Sequence, residues 1–232
     1  MEATVYRTLR DDERAPFLEL MAAAFVRQDP ALFARYLDED PLLGPGDTLV
    51  AEAGGRLVSA VQIFTRTIRL RSQPVRLGGI GSVATHPAHE QRGHASELLR
   101  RASAEMERRG MALSLLFTGR SAFYARLGWT AIPHPLLVVH RRAGGTPVAG
   151  REFRAEDFAP VAGLYDRYSG RRDTTTVRDA GYWRAQLRFA GNPDERFLVL
   201  ERGGGIVAYA RRIPFVGLSR IMEHGCAPGA EA

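Results

Sequence analysis

"GSVATHPAHEQRGHASELL", residues 81–99, sets an apolar run, a proline, a glycine and the start of a helical pattern within nineteen positions. Val83, Ala84 and Thr85 complete a strand, and Pro87 prevents a helix from starting directly behind it. The helical pattern opens only at Gly93 or His94, after which Ala95, Leu98, Leu99, Ala102 and Met106 share one face as far as Gly110. A strand, a polar loop holding a glycine and a helix N-terminus leave several peptide N–H groups unpaired at the positive end of a dipole. Such a place binds phosphate. Gly93 lets backbone approach a ligand with no Cβ between them, and the side chains of Gln91 and Arg92 add donors.

Other chemistries fit this stretch poorly. Residues 79–84 spell G-x-G-x-x-A, the dinucleotide fingerprint, but that motif needs a helix to open inside it, and here a strand runs on toward Pro87. His86, His89 and His94 straddle a proline and a glycine instead of one helical face, so no metal site is expected. A Walker-type phosphate loop requires lysine, and all 32 Lys+Arg residues of this chain are arginine.

Working outward, residues 5–9 read as a strand and residues 10–26 as one helix, with Phe17, Leu20, Met21 and Phe25 at helical spacing. Residues 48–70 read as two strands turning at Gly54-Gly55, and a turn at Ser72-Gln73-Pro74 leads into a third antiparallel strand, residues 75–84. Downstream come a strand at 111–117, a short helix in "RSAFYARLGW" (120–129) closed by Gly128, and a strand at 136–142. Strands joined by the long helix should run parallel, so the expected class is α/β with a mixed sheet.

Residues 142–150 have a linker's composition, and beyond them the chain starts again. Arg10, Ala15, Pro16 and Leu20 recur as Arg154, Ala159, Pro160 and Leu164, while Glu52, Gly54 and Gly55 recur as Glu201, Gly203 and Gly204. The expected domains are 1–141, a linker at 142–150, and a partial second copy at 151–232 that stops short of any equivalent of the Gly93 loop.

A chain of 232 residues with 45% hydrophobic and 25% charged content reads as folded and globular. The apolar stretch at residues 17–26 is far short of the roughly 20 residues a bilayer span needs. The N-terminus carries acids where a signal peptide carries bases, so a cytoplasmic location is expected, with no membrane partner. Cys226 stands alone and excludes an intrachain disulfide. The net charge of +6 comes from arginines scattered among acids, which argues for solvated faces and against nucleic acid as partner. The sequence is compatible with a homo-oligomer.

"VATHPAHEQRGHASELL" resembles motif A of the GCN5-related N-acetyltransferases (GNAT), a strand followed by Q/R-x-x-G-x-G/A at a helix start, with Glu90 standing where that pattern has glutamine or arginine. "SAFYARLGW" is similar to the same family's F-Y-x-x-x-G-F segment, with Trp129 in the last place. The resemblance covers about residues 3–141 and implies a GNAT-type acyl-CoA N-acyltransferase fold with a second, partial GNAT-like unit. It is closest to the enhanced intracellular survival type, which carries two tandem acetyltransferase domains and a sterol-carrier-like third; "YDRYSGRRDTTTVRDAGYWRAQL" (165–187) is similar to the start of the second.

That resemblance also implies a chemistry. It makes acetyl-CoA the co-substrate, its pyrophosphate held at Gln91, Arg92, Gly93, His94, Ala95 and Ser96 and its pantetheine arm by the backbone of Val83, Ala84 and Thr85. It implies that the Val83 N–H faces the thioester oxygen and that the Tyr124 phenol protonates the departing thiolate. The implied acceptor is an amine of a small cationic molecule or of a protein. No general base is assigned: Glu19, Glu52 and His86 are chemically able, and the subfamily's terminal carboxylate lies in a domain this chain lacks. A catalytically idle coenzyme-binding module is the competing expectation.

Overall fold

The computed structural model describes residues 3–132, 150–189, 195–215 and 218–230. Two compact units emerge: Met1–Ile68 with Pro74–Ala131 and Arg178–Ala185, and Arg69–Gln73 with Ile132–Val177 and Gln186–Ala232. The first sheet has the order β1-β2-β3-β4-β5. Its elements are β1 (Val5–Thr8), α1 (Arg14–Ala24), α2 (Pro30–Glu39), β2 (Thr48–Ala53), β3 (Arg56–Leu70), β4 (Gln73–Thr85), α3 (His94–Arg108), β5 (Leu113–Leu115) and α4 (Ser121–Ala125).

Strand alternation distributes the core to both faces of this sheet. Ala51, Val61, Ile63 and Ile80 meet Leu98, Leu99 and Met106 of α3, while Val50, Ala60 and Ala84 meet Phe17, Met21 and Phe33 of α1 and α2. Leu98 and Leu99 are wholly buried, each worth about 1.5–3 kcal/mol of transfer energy. Helix and strand approach closely at Gly78, where a Cβ would come within 2.8 Å of Met106 Cγ.

Several expectations need correction. The turn between β3 and β4 lies at Arg71-Ser72, both left-handed at φ 50° and 62°, and Pro74 sits inside β4, near the strand start where a missing N–H is tolerated. The first helix begins with a 3₁₀ turn, Asp11–Glu13, and α1 ends at Ala24. A helix not anticipated, α2, opens at Asp29, whose side chain accepts from Ala31 N–H at 2.9 Å, with Pro30 as its first residue. Strand β5 is three residues long, and Phe117, expected inside it, is exposed. The strand expected at 136–142 and linker residues 142–149 lie outside the described residues.

The second sheet has the order β6-β7-β8-β9: β6 (Arg151–Glu152), β7 (Arg196–Arg202), β8 (Gly205–Phe215) and β9 (Leu218–Cys226), accompanied by α5 (Phe158–Ser169); the first part of α6 (Ala180–Phe189) belongs to the first unit. Its local plan repeats the first down to single residues. Arg7 lies opposite Val50 and Arg151 opposite Val199. The register shifts between Ala51 and Glu52, and again between Leu200 and Glu201. Arg7 grips Glu13 through two bonds of 2.5 and 2.6 Å and reaches Glu52; Arg151 grips Asp157 at 2.6 and 2.8 Å and reaches Glu201. After the fourth strand, His86 N–H donates to Val58 C=O at 2.9 Å, and Ala227 N–H to Val207 C=O at 2.7 Å.

Candidate active site

Strand β4 pairs in parallel with β5 only through Leu77, Gly78 and Gly79. Beyond Gly79 it runs six residues further while β5 ends at Leu115, so residues 80–85 have no strand partner on that side among the described residues. Within this free stretch Ser82 adopts φ 48°. Left-handed backbone at a residue with a Cβ costs roughly 1–2 kcal/mol. The Ser82 hydroxyl is also buried without a hydrogen-bond partner. The strand end is pinned from β3: Ser59 Oγ donates to Ala84 C=O at 2.6 Å and lies 2.9 Å from Thr85 Oγ1.

The chain then passes a 3₁₀ turn at Pro87–His89, in which His86 Nδ1 accepts from Ala88 N–H at 3.2 Å. Gln91 (φ 59°) and Gly93 (φ 84°) are left-handed on either side of Arg92, a conformation that turns successive N–H groups into one concavity. Gln91 and Arg92 are both exposed. No side chain caps α3, and its first internal bond runs from Glu97 N–H to Gly93 C=O at 3.0 Å, so the N–H groups of His94, Ala95 and Ser96 are without helical partners. A Cβ on Gly93 would meet nothing within 4 Å, which leaves room for a ligand against the peptide. Residues 83–96 thus run without interruption from the free end of β4 to the uncapped start of α3.

His94 faces inward. Its Nδ1 lies 3.0 Å from the Tyr6 hydroxyl, which ties the helix start to β1, and burial, with His89 and Arg92 nearby, holds its pKa below the usual imidazole value. The ring centroids of His86, His89 and His94 are 6.0 and 6.3 Å apart in sequence order. Among the described residues no group of three His, Cys, Asp or Glu side chains is arranged to hold a metal ion.

Helix α4 is closed by a Schellman turn: Trp129 N–H donates to Tyr124 C=O at 3.2 Å and Gly128 N–H to Ala125 C=O at 3.2 Å. Trp129 Nε1–H donates to Ser114 Oγ on β5 at 3.1 Å, hanging the helix beside the parting strands. Tyr124 packs edge-on against Phe123 and Trp129, and with Val83 it borders the core under α3. Burial raises the Tyr124 phenol above its ordinary value.

Other candidates are otherwise engaged. Glu52 is bound by Arg7, Glu19 lies on α1, Asp38 pairs with Arg14 at 2.6 Å and Asp40 with Arg66. A cleft of about 260 Å³ bordered by Arg10, Arg14, Asp38 and Thr48 lies at the Leu9–Thr48 end of β1 and β2, whereas the cradle follows the Thr85 end of β4. Sequence reasoning passed over Ser82 and Tyr6. The glycines at 78, 79 and 81 were a signal for irregular strand near Ser82; nothing marked Tyr6.

A family model described as an acetyltransferase (GNAT) domain matches residues 5–132. Among solved structures, the chain is similar to a conserved Enterococcus faecalis V583 protein described as a probable N-acyltransferase, at 17% identity and TM-score 0.76 over 97% of this chain and 59% of that one. It is similar to Eis1 of Mycobacterium abscessus, at 19% identity and TM-score 0.64 over 92% and 54%. The N-myristoyltransferase of Saccharomyces cerevisiae with bound myristoyl-CoA shares the fold at 12% identity and TM-score 0.67, over 97% and 63%. The chain thus spans about three fifths of the length of these structures. A search of curated proteins finds no match.

Proposed function

This chain belongs to the GNAT acetyltransferase family, and on that premise we propose that it is an acetyl-CoA-dependent N-acetyltransferase acting on a primary amine of a small cationic molecule or of a protein. The observation that carries the reading is the parting of β4 from β5 beyond Gly79, which leads straight into the uncapped, Gly93-opened start of α3. A diphosphate fits the cradle because the donors there are backbone N–H groups with open space before them. Acetyl-CoA, when bound, supplies the activated acetyl group as a thioester.

Each part of the site has its own task. The N–H groups of residues 91–96 and the Arg92 side chain hold the diphosphate, and the free flank of Val83, Ala84 and Thr85 pairs with the amides of the pantetheine arm. As the amine nitrogen forms its bond to the acetyl carbon, negative charge builds on the thioester oxygen, and the Val83 N–H receives it; such a donor is typically worth about 3–4 kcal/mol of barrier. The C–S bond then breaks, the thiolate takes the Tyr124 proton, the acylated nitrogen releases its extra proton to water, and the phenolate recovers a proton from solvent. Glu52 is excluded as the base by its Arg7 partner, and a water relay fills that role.

Residues 151–232 we read as a partial second GNAT-like unit, supported by the shared registers and arginine–carboxylate clusters, and the nearest type as the enhanced intracellular survival one, supported by the shared fold of Eis1. Calorimetric titration with acetyl-CoA, combined with thiol release on polyamines and lysine-containing peptides, tests the function. Binding with release on at least one amine is expected. Absence of binding ends the reading, and binding with no turnover on any amine leaves the idle module in its place.

A further inference from the structure

Ser82 is costly to the fold in two separate ways. Its backbone is held at φ 48°, where glycine is the natural occupant, and its hydroxyl is buried with neither a donor nor an acceptor opposite it. Glycine would remove both costs. The surrounding chain uses glycine freely, at 78, 79 and 81, yet serine stands at the left-handed position itself. The location adds a third fact: Ser82 lies on the stretch of β4 that has left β5, immediately before Val83. In the second unit β9 occupies the corresponding place in the sheet, and none of its residues is left-handed.

A strained, orphaned polar group in a strand that is otherwise well packed marks a group waiting for a ligand atom. A serine hydroxyl and the peptide N–H of the next residue are near enough in the chain to serve a single acceptor oxygen. We propose that Ser82 is a catalytic residue whose hydroxyl donates a hydrogen bond to the same thioester oxygen as the Val83 N–H, making a two-donor site for the charge that develops there. The inference rests on the coenzyme reading given above. The hydroxyl transfers no proton: it strengthens its bond as the carbonyl oxygen gains charge and relaxes when the carbonyl re-forms with loss of thiolate. Because the stronger bond exists only while that charge is present, the hydroxyl acts on turnover and leaves ground-state coenzyme affinity almost unchanged.

Ser82→Gly and Ser82→Ala separate the hydroxyl from the backbone. Glycine relaxes the conformation and removes the hydroxyl, while alanine keeps the conformation and removes the hydroxyl. Both variants are expected to lose about ten- to a hundredfold in kcat, with the Kd for acetyl-CoA within about twofold of the parent, and Ser82→Gly is expected to melt higher than the parent. Should Ser82→Ala fail to fold, Ser82→Gly alone decides. A Ser82→Gly protein with raised melting temperature and parental kcat overturns the proposal, since the hydroxyl then serves only the fold or an ordered water. A loss of coenzyme affinity equal to the loss of kcat overturns it too, by making Ser82 a binding group. If the parent binds no coenzyme, the functional reading fails first and the role of Ser82 falls with it.

Discussion

Tyr124 carries its hydroxyl on a helix of only five residues, which the Schellman turn closes and the Trp129–Ser114 bond ties to β5. A general acid must be protonated to act, and burial raises this phenol, so the protonated form persists to higher pH than an exposed tyrosine allows. Tyr124→Phe is expected to lower kcat by about a hundredfold with little change in coenzyme Kd, and to remove an alkaline limb that in the parent lies above the ordinary phenol range. Steady-state kinetics across pH would show it; a parental rate denies the phenol its role. Gly93 works by the opposite means, through an absent side chain. Alanine there finds no steric neighbour in the protein but must adopt φ 84°, at a cost of roughly 1–2 kcal/mol, and it places a methyl where the diphosphate approaches. Gly93→Ala should therefore weaken acetyl-CoA binding by about tenfold or more, measured by calorimetry, while the protein stays folded. The setting of these two positions was legible, a glycine just ahead of a helix and an aromatic pair on a short helix. Ser82 and Tyr6 were not: a positive φ at serine and a hydrogen bond across 88 positions of chain leave no trace in a local pattern.

At the level of elements, the arginine–carboxylate clusters decide more than their number suggests. Arg7 joins β1, the 3₁₀ turn before α1, and β2 through Glu13 and Glu52, with both ends of the Glu13 pair mostly buried. Arg7→Met would leave the Glu13 and Glu52 carboxylates with only the exposed Arg10 as counter-charge and is expected to cost about 2–3 kcal/mol, read as a fall in melting temperature. Arg151→Met should act in the same direction in the second sheet, where the cluster is more exposed and the fall smaller. The bond from Arg7 holds the Glu13 carboxyl below its usual range, and Arg151 does the same for Asp157. A carboxylate depressed in this way stabilises the fold fully above its unfolded pKa and ceases to as pH falls through the native one. Loss of stability is thus expected on the acid side, below pH ~4, and should be blunted in both arginine variants; an unchanged acid transition would mean that these clusters do not set it. Helix α2 escaped the sequence because its start signal, Asp29-Pro30, lies in a stretch rich in turn formers, where a cap and a loop look alike. Strand β5 was overestimated for a related reason, since the apolar run at 113–117 reflects packing beside β4 only for its first three residues.

Across the molecule, Glu52 recurs as Glu201 and Gly54-Gly55 as Gly203-Gly204, and in the two sheets these are arginine partners, bulge positions and left-handed hairpin glycines. The apolar residues between them drift freely, because many side chains fill a core equally well. No helix among the described residues is long and apolar enough to cross a membrane. An unpaired strand flank is ordinarily a hazard, since any neighbouring chain can add itself there. The open flank of β4 lies between two strands of its own sheet, so a second sheet has no line of approach, while a thin, amide-bearing thread does. An arm gripped through peptide groups makes no demand on most of the side chains beside it. Val83 can therefore change without closing the slot, whereas Ile80 and Ala84 are fixed by burial, Thr85 by its contact with Ser59 and Ser82 by the role proposed for it.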